Sequence, residues 1–362
     1  MSLAASMLLG LLLASPPASP AQALHAQCRA RAADPGNPWA LAHGMDLDGK
    51  AFRARDGRLA ADVIVGDFLH RAPGDAASAD LFFDARTAAG VPVEPHPALQ
   101  VKTLLVAGVP LSRRFPMRDG SVTLRALVED LKRDFRPALA QSPDGAWTLD
   151  ALSHVLAPGD TFRDGAGDAV HIDAVMDSAL ATLEAAQADL AAGMKTGARE
   201  VPKRGQGIYA HPCGGLHWFQ AVASWARFAS VRRAWGRRLD TQVEVLLYRL
   251  DSEARQYETA LSAEPAYRVR LLSQMVKFYG HLLESLGRYR DEAGWRPTAA
   301  QTQAVQRALT YLERATSRLE ATGAYHDTDS LAASDPQLAW DLVGDACHAA
   351  RGWDLWQPRA PK

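Results

Sequence analysis

A chain of 362 residues with 40 basic and 41 acidic side chains carries no electrostatic footprint for nucleic acid, and no nucleic-acid partner is expected. The length suits one large domain or two ordinary ones. The cysteines are three, Cys28, Cys213 and Cys347, so at least one lies outside any disulfide within the chain.

The chain opens on an apolar run from Leu3 to Ala14, shorter than the roughly 20 residues a membrane-spanning helix needs. Pro and Ser follow, and Ala21-Gln22-Ala23 offers the small-x-small pattern of a signal peptidase site, with Leu24-His25-Ala26 as a second choice. The segment reads as a secretory signal, placing the protein in the periplasm or outside the cell; the alternative is an uncleaved N-terminal anchor. No transmembrane segment is expected in the mature chain. The division that follows is 1–23 signal peptide, 24–37 flexible mature N-terminus, 38–352 a single helical domain and 353–362 a C-terminal tail.

Trp39-Ala40-Leu41-Ala42-His43-Gly44 opens the expected domain. Leu81 to Phe83 is the one segment that reads as able to pair as a strand, ahead of a Pro-rich connection from Ala85 to Pro97. Asp-Gly turns at Asp56-Gly57, Asp119-Gly120, Asp144-Gly145 and Asp164-Gly165 each precede a helix start, with Thr123 and Thr148 as N-caps. Helical periodicity then dominates: apolar stripes run over 123–135, 171–192, 243–261 and 271–286, and two more helices are expected at about 299–321 and 336–351. The fold class is all-α, built of antiparallel helical hairpins that close into an α/α toroid or remain a curved array.

Three clusters carry chemistry. Gly205 to Gln220 contains four glycines with His211, Cys213 and His217. A helix starting near Cys213 puts Cys213 and His217 on one face, where thiolate and imidazole suit zinc, with His211 as a further ligand from the preceding loop. Free N–H groups at that helix start would lower the thiol pKa. Near the C-terminus, Cys347 and His348 extend the metal set, and Asp345, three residues before His348, is placed to orient its ring. His43 supports from the N-terminal segment. The competing reading joins Cys213 to Cys347 in a disulfide, as an oxidising compartment permits; a third leaves the cysteines as buried, inert thiols.

Gln274, Lys277, His281, Glu284 and Arg288 form a polar stripe at helical spacing. It reads as a solvated face, or, in a toroid, as the lining of a central cavity with His281 and Glu284 as catalytic acid–base groups. Glu244 and Asp341 are the other carboxylates of interest. Arg227, Arg232, Arg233, Arg237 and Arg238, interleaved with aromatics, read as a solvated helix face with a turn.

Ala42-His43-Gly44, Cys213-Gly214-Gly215 and Cys347-His348, in that order, resemble the pattern of lanthionine-synthetase-C-like proteins. The resemblance covers only these residues. Pro212 and Ala349 depart from it. It implies an α/α toroid and a zinc ion held by these segments. Two functions follow. One is a metal- or histidine-dependent hydrolase or transferase built on a His/Cys-lined pocket, with zinc as the cofactor. The other is a non-catalytic envelope protein that binds another protein or a glycan. Convergence of the clusters around one cavity separates them.

Overall fold

The computed structural model describes residues 19–73, 80–118, 120–204, 206–326 and 328–357. The apolar run from Leu3 to Ala14 lies outside them. The chain is all-α, with fourteen helices among the described residues. They are α1 (Pro20–Ala32), α2 (Pro38–Asp48), α3 (Ala60–Phe68), α4 (Leu99–Val106), α5 (Leu124–Asp134), α6 (Ala146–Val155), α7 (Ile172–Ala186), α8 (Ala188–Thr196), α9 (Leu216–Trp225), α10 (Ala229–Ala263), α11 (Arg268–Ala293), α12 (Ala299–Glu320), α13 (Thr328–Ser334) and α14 (Pro336–Leu355).

The predicted helices lie where periodicity puts them. Thr123 caps α5 by accepting from Ala126 N, and Thr298 and Gln301 close a capping box on α12. Three details differ. The 171–192 stripe is two helices, broken at Gln187, whose buried amide donates to Gln242. Thr148 is no cap, because α6 starts two residues earlier and buries it. The helix expected at Cys213 starts at Leu216.

Leu81–Phe83 pairs antiparallel with Leu69–Arg71. Two further hairpins lie where the sequence shows only Asp-Gly turns: Arg114–Met117 with Gly120–Thr123, and Thr161–Arg163 with Ala169–His171. In the second, the Asp164 carboxylate accepts from Ala166 N and Asp168 N, the local bonding that makes Asp a turn residue. Each hairpin feeds directly into a helix, α5 or α7.

Six helices close a cycle of contacts: α2 on α4, α4 on α6, α6 on α9, α9 on α11, α11 on α14, and α14 back on α2. Others flank this cycle, with α1 against α14 and α2, α3 against α2, α5 against α4, α7 against α9, α10 and α12 against α11, and α13 against α14, while α8 packs on α10. The most extensive helix contact is α11 with α14. A Cβ on Gly280 would stand 2.7 Å from Ala349 Cα, and one on Gly352 would stand 2.5 Å from Gly280 O. Side chains at these positions would force the two backbones apart.

The N-terminal segment corrects one expectation. Residues 24–37 are not a flexible arm: α1 runs to Ala32 and packs on α14, with Leu24, Cys28 and Ala32 buried. Fully buried Cys28 is joined to Cys347 across a Cα–Cα distance of 4.8 Å. Cys213 is therefore the free cysteine, and the Cys213–Cys347 disulfide is overturned. At the other end α14 continues to Leu355, and Trp356 donates its indole N–H to Leu283 O at 2.8 Å, pinning the start of the tail.

The Cys28–Cys347 bridge links residues 319 apart, so it restrains the unfolded chain strongly. Cys28→Ser should lower stability by about 2–5 kcal/mol, read from urea denaturation without reductant. Alkylation of the unfolded, unreduced protein should label one cysteine, Cys213; three labels would refute the pairing.

Candidate functional site

The clusters meet. A cavity of about 290 Å³ is bounded by α2, α6, α9, α11 and α14, and by the segment leading into α4. His43, Cys213, His217, His281 and His348 all line it. The polar stripe on α11 is not solvated: His281, Glu284 and Arg288 are each at most 2% exposed.

Cys213, His217 and His281 are the core of the site, with their ligand-type atoms all within 4.8 Å of one another. They come from three elements. Cys213 sits in the 3-10 turn Pro212–Gly215, His217 at the start of α9, and His281 in the middle of α11. Cys213 and His217 thus converge across a turn and not along one helix face. The turn is left-handed for three residues: Cys213 at φ 50°, Gly214 at φ 59° and Gly215 at φ 74°. For a residue with a Cβ this conformation costs about 1–2 kcal/mol, and such strain concentrates at functional sites.

Each imidazole is oriented from behind. His281 Nδ1–H donates to Lys277 O at 2.8 Å, and His43 Nδ1–H donates to Trp39 O at 2.8 Å. A carbonyl only accepts, which fixes the proton on Nδ1 and leaves Nε2 with a free electron pair. His217 Nδ1 pairs with Gln220 Oε1 at 3.2 Å, an oxygen that also accepts from Arg288 Nη1 at 3.0 Å. His348 Nδ1–H donates to the Glu284 carboxylate at 2.7 Å. An imidazole with one nitrogen hydrogen-bonded behind it is how histidine is held as a metal ligand or a general base. Nε2 of His281 is buried and has no protein partner. Among the buried ring nitrogens without a protein partner, this one stands in the Cys213–His217–His281 cluster, where a cation would satisfy it.

The surroundings keep the rings of His43, His217 and His281 neutral. Burial lowers His43 to about 3 and holds His217 and His281 well below the ordinary range. Burial would raise Glu284, but His348 and Arg351 outweigh it and hold its carboxyl well below the usual range. Asp46 behaves likewise, with Lys102 and Arg351 overcoming burial. Burial pushes the Cys213 thiol up to about 12. A lowered thiol is expected of a cysteine on a helix start, but Cys213 precedes the helix in a wall of the cavity. A coordinating metal would deprotonate it outright.

Other expected residues fall differently. His211 packs edge-on against Trp218 and lines a neighbouring cavity, outside the ligand cluster. Cys347 is spent in the disulfide and is no thiolate ligand. Asp345 does not orient His348, since Glu284 does; its carboxylate lies 3.8 Å from Lys277, which pairs with Asp341 at 2.9 Å. Glu244 is remote, accepting from Gln301. In the arginine cluster Arg238 pairs with Glu184 and Asp177, and Arg227 lies over the Phe228 ring. The sequence reading missed that His281 completes the Cys213–His217 set, and that Trp147 and His96 stack at 3.8 Å in the cavity wall. The signal for His281 was the glycine before it, which admits α14.

Comparisons with protein-family models, with curated proteins and with solved structures find no match to this chain.

The neutral histidines fix a pH dependence for the metal-free protein. His43 lies near 3 and His96 near 4 when folded, both lowered first by burial from 6.5. The unfolded chain therefore binds their protons first on acidification. Stability should be fully present above pH 6.5 and fall as pH drops toward 4 and 3. Urea titrations at pH 7.5 and 5 should show the loss, and His43→Gln should reduce it. A flat profile over that window would contradict the burial of neutral rings.

Proposed function

We propose that the chain is a metal-dependent hydrolase or transferase, with Cys213, His217 and His281 holding a zinc ion. The observation that carries this is the convergence of the three ligand atoms within 4.8 Å, one of them the orphaned Nε2 of His281. One thiolate and two imidazoles form a set zinc favours, and three protein ligands leave the fourth position open, as in catalytic sites. The bound metal would supply Lewis-acid polarisation of a carbonyl or phosphoryl group.

The chain's own groups do the rest. His348, its ring centroid 4.1 Å from that of His281, is the proton carrier, with Glu284 fixing its Nδ1 proton and leaving Nε2 to accept or return one. Trp39, Trp147 and Trp340 line the cavity and limit water. About 290 Å³ admits a small substrate or the reacting end of a larger one.

Two further readings belong to the proposal. The closed cycle of six helices supports a toroidal architecture, and the meeting of His43, Cys213 and His348 in one cavity supports the lanthionine-synthetase-C-like resemblance as a likeness of architecture. With Cys347 in a disulfide the ligand set differs from the one that resemblance implies, and lanthionine chemistry is not carried over. A buried disulfide supports export to an oxidising compartment. N-terminal sequencing of protein from the cell envelope or medium should then give Leu24 or Gln27; an intact Met1 would refute cleavage.

The central test is metal content. The purified protein should bind one zinc with Cys213 unalkylated and reduced, and His281→Ala or Cys213→Ala should abolish stoichiometric binding. His348→Ala and Glu284→Gln should keep the metal and lower turnover of small ester, amide or phosphoester probes by about 10²–10⁴-fold. A folded wild type that takes up no zinc would end this reading.

A further inference from the structure

We propose that Arg249, outside the metal cavity, is the positioning residue that holds the Cys213 sulfur in place. The inference rests on the reading of Cys213 as a ligand and adds the device that aims it.

The turn carrying Cys213 strings three left-handed residues together, a conformation that a residue with a Cβ disfavours. It needs an outside clamp. Within it, Cys213 O accepts from the Leu216 N–H. The next carbonyl, Gly214 O, accepts from Arg249 Nη1 at 2.6 Å. A Cβ on Gly214 would overlap the same guanidinium, so the glycine allows the arginine to lie flat against the backbone.

Arg249 is itself fixed on every side. It is 1% exposed, on α10. Its Nε donates to Glu253 one helical turn away at 2.5 Å. Glu253 also accepts from the Tyr209 hydroxyl and faces Lys203 Nζ at 3.4 Å. The guanidinium plane lies between the rings of Tyr209 at 4.9 Å and Phe278 at 4.8 Å. A planar fork that binds a carboxylate with one arm and a carbonyl with another, while stacked, is a role lysine does not reproduce. Phe278 is on α11, three residues before His281. The clamp thus references the sulfur to the helix that carries another ligand.

The test uses the full chain as Arg249→Ala and Arg249→Lys, with cobalt(II) as the metal probe. Both variants should bind cobalt roughly 10–100-fold more weakly, as when other groups behind metal ligands are removed. The thiolate-to-cobalt charge-transfer band should weaken. Ethylguanidinium should restore the band in Arg249→Ala, entering by the adjoining cavity of about 370 Å³ that Arg249 lines beside Cys213. In metal-free protein, iodoacetamide should alkylate Cys213 several-fold faster in Arg249→Ala, and ethylguanidinium should reverse this. Should Arg249→Ala fail to fold, Arg249→Lys keeps the stem and charge while losing the fork, and the same two readouts apply.

Folded variants with wild-type alkylation rates and an unchanged cobalt band would overturn the proposal and leave the metal site standing. A wild type that binds no cobalt, with Cys213 alkylation still governed by Arg249 and rescued by ethylguanidinium, would remove the metal reading and leave this one standing.

Discussion

The constraint on which the rest of the structure depends is the burial of a polar stripe on α11. His281, Glu284 and Arg288 are buried on one face of this helix, with half-buried Lys277 one turn before them. A buried charge without a partner costs several kcal/mol, so the surrounding elements must each deliver a complementary group. Arg288 takes the Asp150 carboxylate of α6 at 2.9 and 3.1 Å, together with Gln220 and Ser224 of α9. Glu284 takes His348 and Arg351 of α14. Lys277 takes Asp341 of the same helix. Three neighbours of α11 are therefore in register with it through polar pairs as well as apolar packing. Part of the helical cycle and the polar pairing around the site rest on the same contacts of α11 with α9 and α14.

The α11–α14 contact shows how small residues enable this. Gly280 and Gly352 lack the Cβ atoms that would separate the two backbones. The histidines adjoining this seam, His281 beside Gly280 and His348 beside Ala349, come to 4.1 Å between ring centroids as a result. On its other side α14 is fastened to α1 by the disulfide at Cys347, the residue before His348. His348 is thus placed by a covalent bond behind it and a carboxylate ahead of it. That double restraint leaves its ring little rotamer freedom, as the proton-carrying role proposed for it requires.

Much of the fold was legible because amphipathic helices announce themselves by period: α5, α11, α12 and α14 lie where their stripes put them. The all-α class follows from those stripes. The three chemical clusters were also visible, as His43, Cys213 with His217, and His348. Partner choice was not. Nothing local distinguishes Cys28 from Cys213 as the mate of Cys347, because the choice is set by the packing of α1 on α14, two helices remote in sequence. The stripe on α11 looked like a solvated face because polar residues at helical spacing usually are one; only the closure of the ring buries it. His211 looked like a ligand by adjacency alone, yet its ring packs against Trp218 and lines the neighbouring cavity, whereas Cys213 borders both cavities.

The same backbone turn explains why the site is built across elements instead of along one helix. Two ligands one helical turn apart would be set by that helix alone and would survive rearrangement of the rest. Here the sulfur comes from a left-handed turn, one imidazole from α9 and another from α11. Their mutual distances exist only while the ring is closed. The groups behind them differ as well: an amide for His217, a backbone carbonyl for His281 and a carboxylate for His348. Each of these groups fixes the tautomer and orientation of its ring, and the carboxylate gives His348 a charged partner. In the proposed site His217 and His281 are the ligands and His348, held by a charged carboxylate, moves the proton. Three rings of the same chemistry, centred within 4.1 to 5.2 Å of one another, are thus each held by a different kind of group.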